Sequence, residues 1–313
     1  MDTKLTAVVF PGQGTQRPGM GKDFFDSFPE SRSVYEHASD ALGWDVAAIC
    51  FDDDPRLNLT EYAQPCILTT EIAMFKGVVE NYGFNADYFG GHSLGEYTAL
   101  VAASAMPLED AVRIVHTRGR LMQEASPPGV GGMAAVICDD LDINDLKDAL
   151  RDLPLDIANI NSSDQVVISG KSDSMANAEQ QIKKTFTDKP DLRFVPLNVS
   201  APFHSRFMST IQESFTKVLK QTSQALRPEK SVRVTSNFKG EFYSDTPGEL
   251  IASLVSQLSA PVKWRDNMEH LASKATDIVE IGPGRPLRQF FSKAGVACKS
   301  VTSLKSAQRI LEN

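Results

Sequence analysis

Apolar positions along this chain follow two rhythms, and the rhythm assigns the elements. Short β-branched or aromatic runs bounded by glycine or proline read as strands, whereas longer stretches with apolar residues at steps of three and four read as helices. Residues 5–10 are the first short run, which breaks at Pro11-Gly12-Gln13-Gly14-Thr15-Gln16. Residues 22–50 form a helical, surface-leaning segment, and residues 60–80 a second one entered through Gln64-Pro65. Residues 86–90 predict a strand that runs into a tight turn. Residues 94–105, rich in leucine and alanine until Pro107 stops them, predict a buried helix. The next helix covers residues 108–124. Pro107 starts it, and Glu109 and Asp110 load its first turn with the negative charge a helix dipole prefers. Its apolar stripe runs through Leu108, Ala111, Val112, Val115 and Met122.

From Gly129 onward the pattern changes. Residues 133–138, 155–160, 165–169 and 192–198 read as strands, 143–151 and 173–185 as helices, with a turn at Asn161-Ser162-Ser163-Asp164. The order β-α-β-β-α-β is that of a small ferredoxin-like unit. Pro127-Pro128-Gly129 marks its entrance, so residues 129–198 are expected to be an insertion in a larger α/β domain built from residues 1–128 and 199–313, with a cleft between the two. After Ser200-Ala201-Pro202-Phe203-His204-Ser205 comes an amphipathic helix with Phe207, Ile211, Phe215 and Leu219 inward. Residues 231–237 read as a strand, 257–262 as a turn before a helix, and 277–281 as a strand ending in Gly282-Pro283-Gly284.

Composition narrows the class. A chain of 313 residues, 42% hydrophobic and 23% charged, can bury one large core and a smaller one. No apolar run approaches the length of a membrane span, and the N-terminus passes into a strand without a basic segment, so the expected location is the cytoplasm. The net charge of −8 argues against nucleic acid as a partner. Cys50, Cys66, Cys138 and Cys298 lie far apart, form no metal-spaced cluster and read as reduced packing residues; no metal site is visible.

The candidate chemistry centres on Gly91-His92-Ser93-Leu94-Gly95-Glu96, a Gly-x-Ser-x-Gly pattern between a predicted strand and a predicted helix. That context holds a serine out on a sharp turn, and Ser93 is the candidate nucleophile. The glycine loop at Gln13 lacks the third glycine of a dinucleotide fingerprint, because Arg17 stands there. It reads either as a plain turn or as backbone N–H groups left open for a developing negative charge. Arg118 lies within the apolar stripe of its helix, whereas Arg113 and Arg120 project from the opposite face. A cation pointing at the core needs an anionic partner, either an internal carboxylate or the carboxylate of a substrate. His204 sits in a loop at a helix start, where a general base belongs. The other histidines compete poorly: His116 projects away from the apolar stripe of its helix, His37 and His270 lie in polar helical contexts, and His92 is tied to the turn backbone.

Taken together, Phe10-Pro11-Gly12-Gln13-Gly14-Thr15-Gln16, Gln64-Pro65, Gly91 to Glu96, Arg118-Gly119, Asn161-Ser162, Pro202-Phe203-His204-Ser205 and Ile281-Gly282-Pro283-Gly284 closely resemble the malonyl-CoA:acyl-carrier-protein transacylases, including the discrete acyltransferases that serve polyketide synthases. The resemblance spans nearly the whole chain. It implies a hydrolase-like parallel-sheet domain with a ferredoxin-like insertion. It also implies Ser93 as nucleophile, His204 as base, backbone N–H groups of Gln13 and Leu94 as oxyanion donors worth roughly 3–4 kcal/mol each, and Arg118 as the clamp on the malonyl carboxylate. A backbone carbonyl near Gln257 takes the place of the usual acid behind the histidine. Gln64, Asn161, Phe203 and His92 are supporting residues. No cofactor is implied; the donor is malonyl-CoA and the acceptor the phosphopantetheine thiol of a carrier protein, with a monomer as the default. Phe203 is expected to crowd a 2-methyl group, which a hydrophobic pocket discriminates by only about 1–3 kcal/mol. Lys183, Lys184, Arg285 and Arg288 are candidate contacts for an acidic carrier protein, or a solvated face. The rivals are an acyl hydrolase of the same fold, which gains nothing from Arg118, an inactive carrier-docking scaffold, which has no need of Ser93, His204 and Arg118 together, and an unrelated serine esterase.

Overall fold

The computed structural model describes residues 4–127, 129–199 and 201–312; Pro128 and Ser200, at the expected borders of the insertion, lie outside the described residues, as do residues 1–3 and 313. The chain opens with β1 (Thr6–Phe10), followed by helices α1 (Lys22–Ser27), α2 (Pro29–Leu42), α3 (Val46–Phe51) and the long α4 (Thr60–Tyr82). Then come β2 (Tyr88–Gly91), α5 (Gly95–Ala102) and α6 (Leu108–Glu124). The middle third runs β3 (Gly131–Ile137), α7 (Ile143–Leu150), β4 (Leu155–Ile160), β5 (Gln165–Lys171), α8 (Met175–Thr185) and β6 (Arg193–Pro196). It closes with α9 (Gln212–Gln221), α10 (Pro228–Ser231), α11 (Pro247–Ser256), α12 (Trp264–Lys274), β7 (Asp277–Ile281), α13 (Pro286–Lys293), β8 (Cys298–Val301) and α14 (Leu304–Leu311).

Two separate sheets result. The first is wholly parallel, in the order β2-β1-β7-β8, and the second antiparallel, in the order β4-β5-β3-β6. This is an α/β fold in which the parallel sheet is covered on both faces, as parallel strands require. The alternation in β1 shows how: Val8 and Phe10 enter the large core with α4 and α6, while Ala7 and Val9 face the core built with Trp264 and Leu271 of α12 and Phe291 of α13. In β3 the same period of two separates Ala134 and Val136, packed under α7 and α8, from Met133 and Ala135, which face the large domain. The antiparallel sheet therefore turns its uncovered face toward the parallel one. Its edge strand β4 is also tied to the large domain through Ile160 N–H to Val262 carbonyl at 2.9 Å and Val262 N–H to Ala158 carbonyl at 2.8 Å.

Several expectations are corrected. Residues 231–237 are not a strand: α10 ends at Ser231, and the segment touches the sheet edge by a single bridge, Val234 with Phe89; its other bridge, Thr235 with Phe242, is to the stretch just after it. It then turns away, which carries Asn237 under the Ser93 turn. The helix expected to run to residue 105 stops at Ala102, where Ser104 takes a left-handed φ of 61°. Phe207 is only half-buried and Met208 takes its inward place, because Arg206–Ile211 winds as a 3-10 turn of three residues per turn. All four cysteines are buried.

Candidate active site

The cleft between the sheets has a volume of about 700 Å³ and lies at the carboxyl ends of β1 and β2, where ligands bind in open parallel sheets. It is lined by Gln13, Gln64, His92, Ser93, Leu94, Arg118, Asn161, Phe203 and His204, so one cavity gathers nearly all the residues singled out from sequence. Gln257 stands just behind it.

The turn that carries Ser93 is built by close backbone approach. A Cβ on Gly91 would lie 1.9 Å from the Gly95 carbonyl oxygen, and one on Gly95 would lie 2.2 Å from that of Phe10. The strain falls on the serine itself, whose φ is 54°. Asn237 holds the turn from below, accepting the Ser93 N–H at 2.6 Å and donating to the Gly91 carbonyl at 2.8 Å. Gly12 presses the Gln13 loop onto the same turn, since a Cβ there would meet the His92 carbonyl at 2.5 Å. Among the described residues, the backbone N–H groups of Gln13 and Leu94 donate to no protein acceptor. His92 is anchored by its N–H to the Phe10 carbonyl and by Nε2 to Asn161 Oδ1 at 2.8 Å. Asn161 is held in turn by Gln165.

His204 also has a left-handed backbone, with φ 55°, and is only 3% exposed. Its Nε2 lies 2.7 Å from Ser93 Oγ and its Nδ1 2.7 Å from the carbonyl of Gln257. That carbonyl follows the last turn of α11, where helix carbonyls have no partner within the helix and carry its negative end. Nδ1–H therefore donates to it, and Nε2 is left as the acceptor for the serine hydroxyl. Burial first, and then the charge of Arg118, hold the imidazole down to about 3, so it is neutral. A hydroxyl bonded to a neutral, oriented imidazole is the arrangement that activates serine for covalent catalysis.

Arg118 is 1% exposed. Gly119 makes its position possible: a Cβ there would meet the Thr60 carbonyl at 2.5 Å, so α6 crowds the start of α4 and brings Arg118 to Gln64. The guanidinium donates to Gln64 Oε1 at 2.9 Å, Gln257 Oε1 at 2.8 Å and Ser93 Oγ at 3.2 Å, and it lies over the Tyr97 ring at 5.3 Å. Among the described residues it forms no salt bridge. Its partners are neutral amides and a hydroxyl, and burial lowers its pKa. Of the two partners left open by the sequence, an internal carboxylate is not in contact.

Three residues of the network escaped sequence reasoning: Asn237, Glu96 and Tyr243. Glu96 is fully buried in the first turn of α5 and accepts from Asn237 N–H at 3.1 Å, from the Tyr243 hydroxyl, and from Gln257 Nε2 at 2.5 Å. A glutamate inside a leucine- and alanine-rich helix was the available signal for Glu96; nothing in the sequence marked the other two. Lys183 and Lys184 lie on α8, on the far side of the antiparallel sheet from the cleft, and Lys183 pairs with Glu179 at 2.6 Å. Arg285 and Arg288 instead line a second groove with Arg193 and Lys293, which shares Ile137 and Gln165 with the cleft.

A parallel α/β sheet with a paired serine and histidine at its carboxyl end defines a class of acyl-handling proteins, and comparison places the chain within it. Residues 7–309 match the model of the acyl transferase domain, and the chain belongs to that family. It is 34% identical to the malonyl CoA-acyl carrier protein transacylase of Bacillus subtilis (strain 168), over 94% of this chain and 92% of that protein. The solved malonyl CoA-acyl carrier protein transacylase of Clostridium perfringens superposes with a TM-score of 0.88 at 35% identity, covering 98% of this chain and 96% of that one. A malonyl-transacylase solved in complex with its type II polyketide synthase acyl-carrier protein gives a TM-score of 0.88 at 31% identity, over 99% of both chains.

Proposed function

We propose that this chain is a malonyl-CoA:acyl-carrier-protein transacylase that carries malonate as an ester of Ser93. The observation that carries the reading is Arg118, a buried cation 3.2 Å from the serine hydroxyl with only neutral partners. His204 takes the serine proton as Ser93 Oγ attacks the thioester carbonyl. The N–H groups of Gln13 and Leu94 receive the oxyanion, and His204 returns the proton to the departing CoA thiolate. In the second half the carrier's phosphopantetheine thiol gives its proton to His204, attacks the ester and restores Ser93.

Arg118 ties substrate choice to base strength. Its charge is one of the causes that depress His204, so a malonyl carboxylate seated on the guanidinium relieves that depression as it binds, and an acetyl group does not. Leaving the cation unpaired beside acetyl costs roughly 3–5 kcal/mol, a preference of a few hundred-fold or more. Phe203, which lines the cleft, is expected to slow methylmalonyl transfer without excluding it.

The architecture fits a hydrolase-like domain of residues 1–128 and 199–313 with a ferredoxin-like insertion at 129–198; the β-α-β-β-α-β order and the strand order β4-β5-β3-β6 support that division. The groove of Arg193, Arg285 and Arg288 beside the cleft is the surface for an acidic carrier protein, supported by its net positive charge once Lys293 is paired with Asp164 at 2.9 Å. Intact mass after brief exposure to malonyl-CoA, acetyl-CoA and methylmalonyl-CoA tests the reading. A malonyl adduct that needs Ser93 is expected, with relatively more acetyl adduct in Arg118→Ala. No malonyl adduct, together with hydrolysis of acyl-carrier substrates, hands the site to the hydrolase reading.

A further inference from the structure

Gln257 is used from both ends. Its main-chain carbonyl holds His204, while its side chain places Oε1 against Arg118 and Nε2 against the Ser93 carbonyl at 2.9 Å and Glu96 Oε2 at 2.5 Å. Reversing that amide sets an NH₂ group against the guanidinium, donor facing donor. Three groups fix it, the Arg118 donors, the Ser93 carbonyl and Glu96, and of these Glu96 is the acid. One carboxylate oxygen takes the Asn237 N–H and the Tyr243 hydroxyl, and the other takes the Gln257 amide. The Asn237 N–H is an obligate donor, so Oε1 must accept, and Oε2 must accept for the Gln257 amide to keep its orientation. An ionised carboxylate accepts at both with full charge; an amide donates at one, and a protonated carboxyl either donates at one or gives its proton to the Tyr243 oxygen and accepts more weakly.

We propose that Glu96 is a positioning residue for substrate selectivity: as a carboxylate it locks the Gln257 amide so that Arg118 meets carbonyl oxygens on its protein side and keeps its remaining donors for the malonyl carboxylate. This rests on the proposed malonyl reading of Arg118. Without the Glu96 charge the amide is held only by Arg118 and the Ser93 carbonyl, and the clamp loses its alignment. The same Glu96 oxygens support Asn237, which holds the Ser93 N–H, so the residue ties the turn and the clamp to one charge.

The groups facing Glu96 are the Tyr243 hydroxyl, the Gln257 amide, the Asn237 N–H, the Arg118 charge on α6 and, on its own helix, Tyr97. Burial pushes Glu96 up to about 7, against the downward pull of those hydrogen bonds and of Arg118. His204 is held down to about 3 and so does not titrate in the same range. The malonyl-over-acetyl preference of the wild-type protein is thus expected to weaken as pH falls through about 7.

The test is the ratio of kcat/KM for malonyl-CoA to that for acetyl-CoA, from pH 5.5 to 9, in wild type, Glu96→Gln and Tyr243→Phe, with Arg118→Ala as reference. Glu96→Gln is expected to cut the ratio about ten-fold, the worth of one charged hydrogen bond, chiefly through the malonyl KM, and to flatten its pH dependence. Tyr243→Phe removes a donor that lowers Glu96, so it is expected to keep the ratio at high pH and shift its midpoint upward. Equal losses on both substrates in Glu96→Gln overturn the proposal in favour of a purely structural role. If that variant does not fold, a pH-independent ratio in wild type, or an unmoved midpoint in Tyr243→Phe, overturns it equally. A wild-type protein that shows no malonyl preference, or one unchanged in Arg118→Ala, defeats the transacylase reading instead.

Discussion

The two walls of the cleft are made on different principles. The wall from the parallel-sheet domain is polar and, apart from the half-buried Ser93, buried: Ser93, His204, Arg118, Gln64 and Gln257 are joined by hydrogen bonds of 2.7–3.2 Å, and two of its residues have left-handed backbones. The wall from the antiparallel sheet is mostly apolar, with Met133, Ala135, Val167, Val195 and Leu197 beside Asn159, Asn161 and Gln165; Val195 is 39% and Leu197 37% exposed. A network of buried polar groups has one low-energy arrangement, because each lost partner leaves a desolvated group behind. An apolar wall has no such requirement and tolerates rearrangement. In the proposed reaction the difference puts the chemistry on the first wall and gives the second the task of covering a flexible substrate.

That contrast is sharpest at Ser93, the proposed nucleophile. Ser93→Ala is expected to abolish the acyl-enzyme in intact mass and to lower kcat/KM by about 10⁴-fold or more. Arg118→Ala comes next: the malonyl-to-acetyl ratio should fall by about a few hundred-fold, read from competing CoA thioesters. Asn237→Ala leaves the Ser93 N–H and the Gly91 carbonyl unpartnered and is expected to destabilise the protein by about 2 kcal/mol, measured by denaturant melts, with a matching loss of kcat.

The polar wall also predicts a pH signature. Glu96 and Glu280 are pushed up to about 7 by burial, and Glu71 is raised well above its ordinary value. The folded state then holds protons that the unfolded state has released, so this contribution is present at low pH and lost as pH rises through about 7. His204 and His92 are lowered and act in the opposite sense below the ordinary histidine range, which flattens the acid side. From pH 6.5 to 8 the stability is expected to fall by about 1–2 kcal/mol, a few degrees of Tm by calorimetry. The smallest effect belongs to the apolar wall. Met133→Ala should change kcat/KM by about ten-fold or less, mainly through KM. A loss there as large as that of Arg118→Ala would break the contrast between the walls.

Some of this was legible from the chain and some was not. Ser93 was, because glycines on either side of a serine between strand and helix are a local pattern. Arg118 was, because a charge inside an apolar stripe breaks a local period. The strand assignment of residues 231–237 failed because apolar alternation cannot tell a strand from a segment that touches a sheet edge once and leaves.

The sequence by itself determined the element order, the turn that exposes Ser93, the odd placement of Arg118 and the loop that carries His204, since each is written in neighbouring residues. Only the tertiary structure decided the network beneath them. Asn237 and Tyr243 meet the turn and Glu96 across separations of 141 to 147 residues, and Gln257 reaches Glu96 across 161. Whether Arg118 faced a carboxylate or two amides was likewise settled by the crossing of α6 on α4 at Gly119. Spacing along a chain fixes which face a side chain takes, but the partner it finds there is set by how distant elements pack.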